Sequence, residues 1–178
     1  MNKLLFLLVT AGFLATQCHQ GSSEPAIKVR QDLFNTSMRD SVTCYRIPSI
    51  VTAPNGDLVV AIDERRESCA DLYPNKNIDI VIRRSEDNGK TWTPIQTVVD
   101  FPYGEAGSDP SMIVDGATGD IFLFYNYMNN NTGDRIYNLQ YVKSSDCGQT
   151  WSESVDITSQ ITPAEWEKDF KFITSGRE

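Results

Sequence analysis

Histidine is nearly absent from this chain: the only one among its 178 residues is His19, at the edge of an apolar N-terminal stretch. A mature domain without imidazole excludes a Ser-His-Asp or Cys-His nucleophilic device and zinc sites of the usual His-containing kinds. Acid and base chemistry then falls to carboxylates and tyrosines. Positive charge is also short, with 16 Lys and Arg against 24 Asp and Glu and a net charge of −8. Such a field repels phosphate, which argues against nucleic acid as a partner. Neither a Gly-rich dinucleotide loop nor a phosphate loop occurs, so no cofactor is expected, and no metal site either. No apolar run is long enough to span a bilayer as a helix. What is present, 40% hydrophobic residues and 10% aromatic ones, suffices for a core, which excludes disorder and leaves room for one domain.

Met1-Asn2-Lys3 and the apolar run Leu4 to Ala15 have the charged start and short hydrophobic stretch of a secretory signal. The protein is expected to be exported, to the periplasm, to the outer membrane as a lipoprotein, or to the medium. Two cleavage readings stand side by side. Cys18 follows Leu14-Ala15-Thr16-Gln17, similar to a bacterial lipoprotein box, which would make Cys18 a lipidation site carrying an anchor. A simple signal peptide cut near Gly21-Ser22-Ser23 would leave none. Residues 1–23 are then leader, 24–40 a linker or lead-in strand, and 41–178 the folded domain.

From about Val42 the pattern is that of a strand meander. Leu58, Val60 and Ile62 alternate with their neighbours, as do Ile78, Ile80 and Ile82, which predicts half-buried strands. Ile121–Tyr127 is apolar on both faces, as a central strand should be, and Ile136–Val142 places Tyr137, Leu139 and Tyr141 on one side. Turn signals separate these runs at Asn55-Gly56, Asn88-Gly89, Gly116–Gly119, Asn129–Gly133 and Cys147-Gly148. The domain is expected to be all-β and antiparallel, with a short helical turn only near Pro163 to Lys168.

One octet occurs twice. Ser85, Asp87, Gly89, Thr91 and Trp92 recur as Ser144, Asp146, Gly148, Thr150 and Trp151, both reading S-x-D-x-G-x-T-W, each after an alternating strand. Repeats on this scale mean blades or solenoid units. The aspartate can accept backbone N–H bonds within a tight turn, the glycine supplies positive φ, and the tryptophan packs back onto the sheet. These are structural parts, not catalysts.

The octets resemble the Asp boxes of bacterial exo-α-sialidases (neuraminidases), the BNR-repeat family, and Tyr45-Arg46-Ile47-Pro48 resembles the arginine motif that opens their domain. The resemblance continues through Asp63-Glu64-Arg65, Ser68-Cys69-Ala70-Asp71 and Ser108-Asp109-Pro110-Ser111. It implies a six-bladed β-propeller, of which this chain would hold two to three blades at the N-terminal end. It also implies hydrolysis of terminal α-linked sialic acid from glycoproteins, glycolipids and oligosaccharides.

By the same resemblance Arg46 is one of three arginines that grip the sugar carboxylate, and a bidentate charge-assisted contact suits that task. Ile47 precedes a proline and should be extended, aiming Arg46 in a fixed direction. Asp71 corresponds to the acid/base catalyst that protonates the departing oxygen and later activates water. Arg65 and Asp109 resemble the pair that binds the 4-hydroxyl. Arg66 offers a second alignment, so the choice of Arg65 rests on the Asp-x-Arg pattern; Asp109 before Pro110 also reads as a turn start. Cys44 and Cys69 flank Arg46 and Asp71, and export permits them to pair; the alternative is two small buried residues that never do. The family's tyrosine nucleophile, its glutamate partner and two further arginines are not found in these residues, so the 178-residue chain alone is expected to be inactive. A trans-sialidase would use the same residues. The competing reading is a noncatalytic Asp-box module that binds glycans or proteins at the cell surface.

Overall fold

The computed structural model describes residues 30–133, 136–167 and 169–173; the expected leader, with Cys18 and His19, lies outside them. Within Asp32–Glu178, which forms one unit, eight strands follow the predicted meander. They are β1 (Cys44–Thr52), β2 (Leu58–Arg65), β3 (Ile78–Ser85), β4 (Gln96–Val99), β5 (Glu105–Val114), β6 (Ile121–Asn129), β7 (Tyr137–Ser144) and β8 (Val155–Asp156). β1 to β4 pair antiparallel in sequence order, and so do β5 to β8. The result is two four-stranded propeller blades, and each octet turns the third strand of its blade into the fourth. A parallel bridge between Ile78 and Ala106 joins the blades, the one departure from antiparallel pairing among the described residues.

The half-buried reading of β2 and β3 is corrected by the structure, because both strands are covered on both faces. Val59, Ala61, Ile80 and Ile82 point one way and pack on Met112, Leu123, Tyr125 and Val142 of the second blade. On the other face Glu64 is fully buried and accepts from Tyr45 Oη at 2.8 Å, Arg66 Nη2 at 2.6 Å and Arg39 Nη1 at 3.2 Å. Arg83 Nη1 there donates to Leu33 O at 2.7 Å. The lead-in therefore acts as a cover. Its expected strand is not there among the described residues; Thr36–Met38 is instead a 3₁₀ turn, capped by the Asn35 side chain. The tail adds a short α1 (Thr158–Ile161) and a 3₁₀ turn at Ala164–Trp166.

Both octets close in the same way. Asp87 Oδ1 accepts from the N–H groups of Lys90 and Thr91 at 3.0 and 2.8 Å, and its Oδ2 from Thr91 Oγ1 at 2.6 Å. Asp146 accepts from Gln149 N, Thr150 N and Thr150 Oγ1 at 3.0, 2.9 and 2.6 Å. Gly89 and Gly148 take φ of 83° and 84°, and Trp151 packs against the core.

Candidate active site

β1 and β5 open their blades, and each carries the same irregularity. At Arg46-Ile47-Pro48-Ser49 and at Ser108-Asp109-Pro110-Ser111 the pairing with the next strand shifts register. The residue before each proline has positive φ, 58° for Ile47 and 62° for Asp109. The extended conformation expected of Ile47 is thus replaced by a bulge, and Asp109 sits in a bulge within β5 rather than at the start of a turn. A β-branched residue held there costs about 1–3 kcal/mol and persists only where its surroundings fix it. They do: Arg46 remains paired with Asp63 on one side, and on the other Met112 N donates to the buried Ser49 Oγ at 3.2 Å.

The apolar face between the blades changes character at this end. Along β2, Val59 and Ala61 are followed on the same face by Asp63 and Arg65, all with no exposed surface. Arg65 Nε and Nη2 donate to Asp63 Oδ2 at 3.2 and 2.7 Å. Arg65 Nη1 turns outward and donates to Asp71 Oδ1 at 2.8 Å, Ala70 O at 2.7 Å and Cys69 O at 3.0 Å. Arg46 Nη1 reaches the same loop, donating to Cys69 O at 2.8 Å and to Asp71 Oδ1 at 3.3 Å. Cys44 and Cys69 are joined as a disulfide across 25 residues. It ties the loop carrying Asp71 to the start of β1, and Cys69 O is itself the acceptor both arginines share.

Two arginines therefore converge on one carboxylate whose side chain is 73% exposed, while Arg65 is fully buried and Arg46 is 41% exposed. Asp109 approaches from β5. Its N–H donates to Asp63 Oδ1 at 3.0 Å, and its carboxylate accepts from Asn126 Nδ2 at 3.4 Å. Burial pushes the Asp109 carboxyl above its ordinary pKa, although Asn126 and the charge of Arg65 pull it down. Arg66 lies on the opposite face, on Glu64 and on Asp79, so the Asp-x-Arg pattern separates the two arginines as strand alternation requires.

The structure thus brings Arg46, Arg65, Asp71 and Asp109 to one end of the two blades. Sequence reasoning missed Asp63 and Asn126, which hold Arg65 and Asp109, and Ser108, which donates to Asp63. Asp63 had a signal in its Asp-x-Arg spacing, and Asn126 one in being the polar residue of an apolar strand. Ser108 had none. Tyr125 is fully buried between the blades. A cavity of about 640 Å³ lies elsewhere, between β7 and the tail, lined by Asn138, Asp156, Thr158 and Glu167 among others. Its polar groups serve one another, with Asn138 Nδ2 and Thr158 N both donating to Asp156. Among the described residues no cluster of three metal-ligating side chains occurs, and no helix is long and apolar enough to cross a membrane.

Residues 47–177 match the BNR repeat-like domain. The sialidase of Micromonospora viridifaciens is 35% identical over 172 residues, covering 86% of this chain and 26% of its own length. The chain belongs to the BNR-repeat sialidase family. A second family member, the sialidase of Bacteroides fragilis, is 30% identical over 147 residues, with 71% of this chain and 27% of that protein covered. The chain thus spans about a quarter of the length of these sialidases. Among solved structures, Hadza microbial sialidase Hz136 superposes with a TM-score of 0.67 at 31% identity, over 78% of this chain and 30% of that one. A leech intramolecular trans-sialidase has a TM-score of 0.71 at 15% identity, over 85% of this chain and 40% of that one, and shares the fold.

Proposed function

We propose that the protein is an exported exo-α-sialidase, and that this chain supplies the first part of its site. The observation that carries the reading is the exposed Asp71 carboxylate held between Arg46 and Arg65, with Asp109 beside them. Arg46 is the more exposed arginine and makes the longer bond to Asp71, so it is the one free to exchange that bond for the carboxylate of a sialic acid. Once released, Asp71 takes up a proton from solvent and gives it to the glycosidic oxygen as that C–O bond breaks and the family's tyrosine nucleophile bonds the sugar; it then takes a proton back from the water that hydrolyses the sugar–tyrosine bond. Arg65 as donor and Asp109 as acceptor complement a sugar hydroxyl, the 4-hydroxyl in the family pattern.

The test is turnover of a fluorogenic α-sialoside by the natural gene product and its variants. D71A is expected to lower kcat by about 10²–10⁴-fold with KM little changed, the range for losing a general acid/base. R46A is expected to raise KM by roughly tenfold or more, the loss of a charge-assisted contact. Wild-type turnover in both variants would overturn the assignment. Sialoside binding without turnover by the natural protein would favour a glycan-binding module instead.

A further inference from the structure

We propose that Asp63 is the positioning residue of this site, holding the Arg65 guanidinium with one carboxylate oxygen and the Asp109 main chain with the other. It thereby sets the spacing of the donor and acceptor assigned above to the 4-hydroxyl, and in that respect it rests on the sialidase reading.

The geometry is a bridge between blades. Asp63 Oδ2 accepts from Arg65 Nε and Nη2 on its own strand and from Ser108 Oγ of β5 at 2.5 Å; Oδ1 accepts the Asp109 N–H. Four donors surround a side chain with no exposed surface. Its neighbours Ala61 and Ile80 on this face are buried and aliphatic, so a carboxylate here is costly unless each lone pair is used.

The internal repeat shows what the charge is for. Leu58 pairs with Ser85 and Ile121 with Ser144, so Asp63 in the first blade corresponds to Asn126 in the second, and Arg65 to Met128. Asn126 Oδ1 accepts the N–H of Ile173 at 2.9 Å, as Asp63 Oδ1 accepts that of Asp109 at 3.0 Å. An amide oxygen is therefore enough to grip the next segment's main chain. The second, charged oxygen occurs only where an arginine lies two residues on.

Burial pushes the Asp63 carboxyl up to about 7, against the pull of Ser108 and Arg65 and helped by the Asp109 charge. The charged groups around it are Arg65 on β2 and Asp109 on β5, with Asp71 and then Arg46 of β1 beyond Arg65.

D63N tests the proposal, since Asn126 shows that an asparagine keeps the main-chain contact. The Arg65 Nε–H should give an exchange-protected NMR signal in the wild-type chain and lose protection in D63N. In the natural gene product D63N should raise KM for a fluorogenic α-sialoside roughly tenfold with kcat little changed, as one charge-assisted contact would. On a 4-deoxy sialoside the same substitution should leave KM nearly unaltered, which a general structural defect would not do. The wild-type KM should rise as pH falls through about 7, and D63N should lack that limb.

An unchanged Arg65 signal with unchanged KM overturns the proposal, as does an equal KM rise on both substrates. If wild type binds no sialoside yet D63N frees the Arg65 signal, positioning stands and the sialidase reading falls. If D63N fails to fold, acid titration of the wild-type chain decides: Arg65 protection lost as the Asp63 carboxyl takes up its proton supports the bridge, and protection unchanged by that protonation sinks it.

Discussion

Asp63 and the two octet aspartates are all hydrogen-bonded carboxylates, yet their protons act on the fold in opposite directions. Thr91 Oγ1 and N–H, with Ser85 and Lys90, hold Asp87 down at about 2. Asp146 is at about 2 as well, where slight burial works against the same set of donors led by Thr150. An aspartate depressed from an ordinary value of 3.8 stabilises the fold above that value and stops doing so as pH falls through 2. Asp63 is raised, so its proton favours the fold below 3.8 and that contribution disappears as pH rises through about 7. Urea midpoints measured against pH should therefore fall in acid between about 4 and 2 for wild type, with a shallower fall in D87N and D146N. D63N should change the slope only between about 4 and 7. An acid limb as steep in both octet variants as in wild type would contradict the hydrogen-bond account of the turns.

The octets were legible in the sequence because their bonds close within eight residues, so spacing alone dictates partners. Their glycines still differ in what surrounds them. A Cβ at Gly89 would stand 3.6 Å from Leu58, ordinary contact, whereas one at Gly148 would stand 3.1 Å from both Val59 and Arg84 of the other blade. G89A should then cost about 1–2 kcal/mol, the left-handed conformation alone. G148A should cost measurably more, because a side chain there also presses on the interblade packing; equal urea midpoints for the two variants would refute this. The bulges of β1 and β5 were not legible, because the φ of Ile47 is fixed by a contact between Ser49 and Met112, 63 residues apart. The two-sided burial of β2 and β3 escaped for a related reason: their second face is closed by the lead-in, whose sequence reads as linker. Within the site, Arg65 could be told from Arg66 by strand alternation, which is local. Asp63's partners on β5 could not be foreseen, since they lie 45 and 46 residues away.

Across the whole molecule, the repeat assigns a use to a surface that is only partly covered. Val59, Ala61 and Ile82, which the second blade buries completely, correspond to Phe122, Phe124 and Tyr141 on the outer face of that blade. There Phe122 and Phe124 stack at 6.0 Å, Tyr141 meets Phe122 edge-on at 5.4 Å, and Ile113 beside them is 37% exposed. The Ile173 N–H reaches Asn126 on this face as the Asp109 N–H of β5 reaches Asp63. The outer face is thus shaped for a further blade, and a contiguous apolar patch left to water drives association. Light scattering of the 178-residue chain should show an apparent mass that rises with concentration. Placing a carboxylate in the patch with F124E should weaken that association about tenfold or more, equivalent to about 1.4 kcal/mol. The variant's thermal midpoint should stay close to wild type, because Phe124 points away from the core between the blades. A wild-type chain that stays monomeric at its highest soluble concentration would mean that the aromatic cluster is satisfied within one copy, and that the repeat relates the blades in backbone without relating their outer faces.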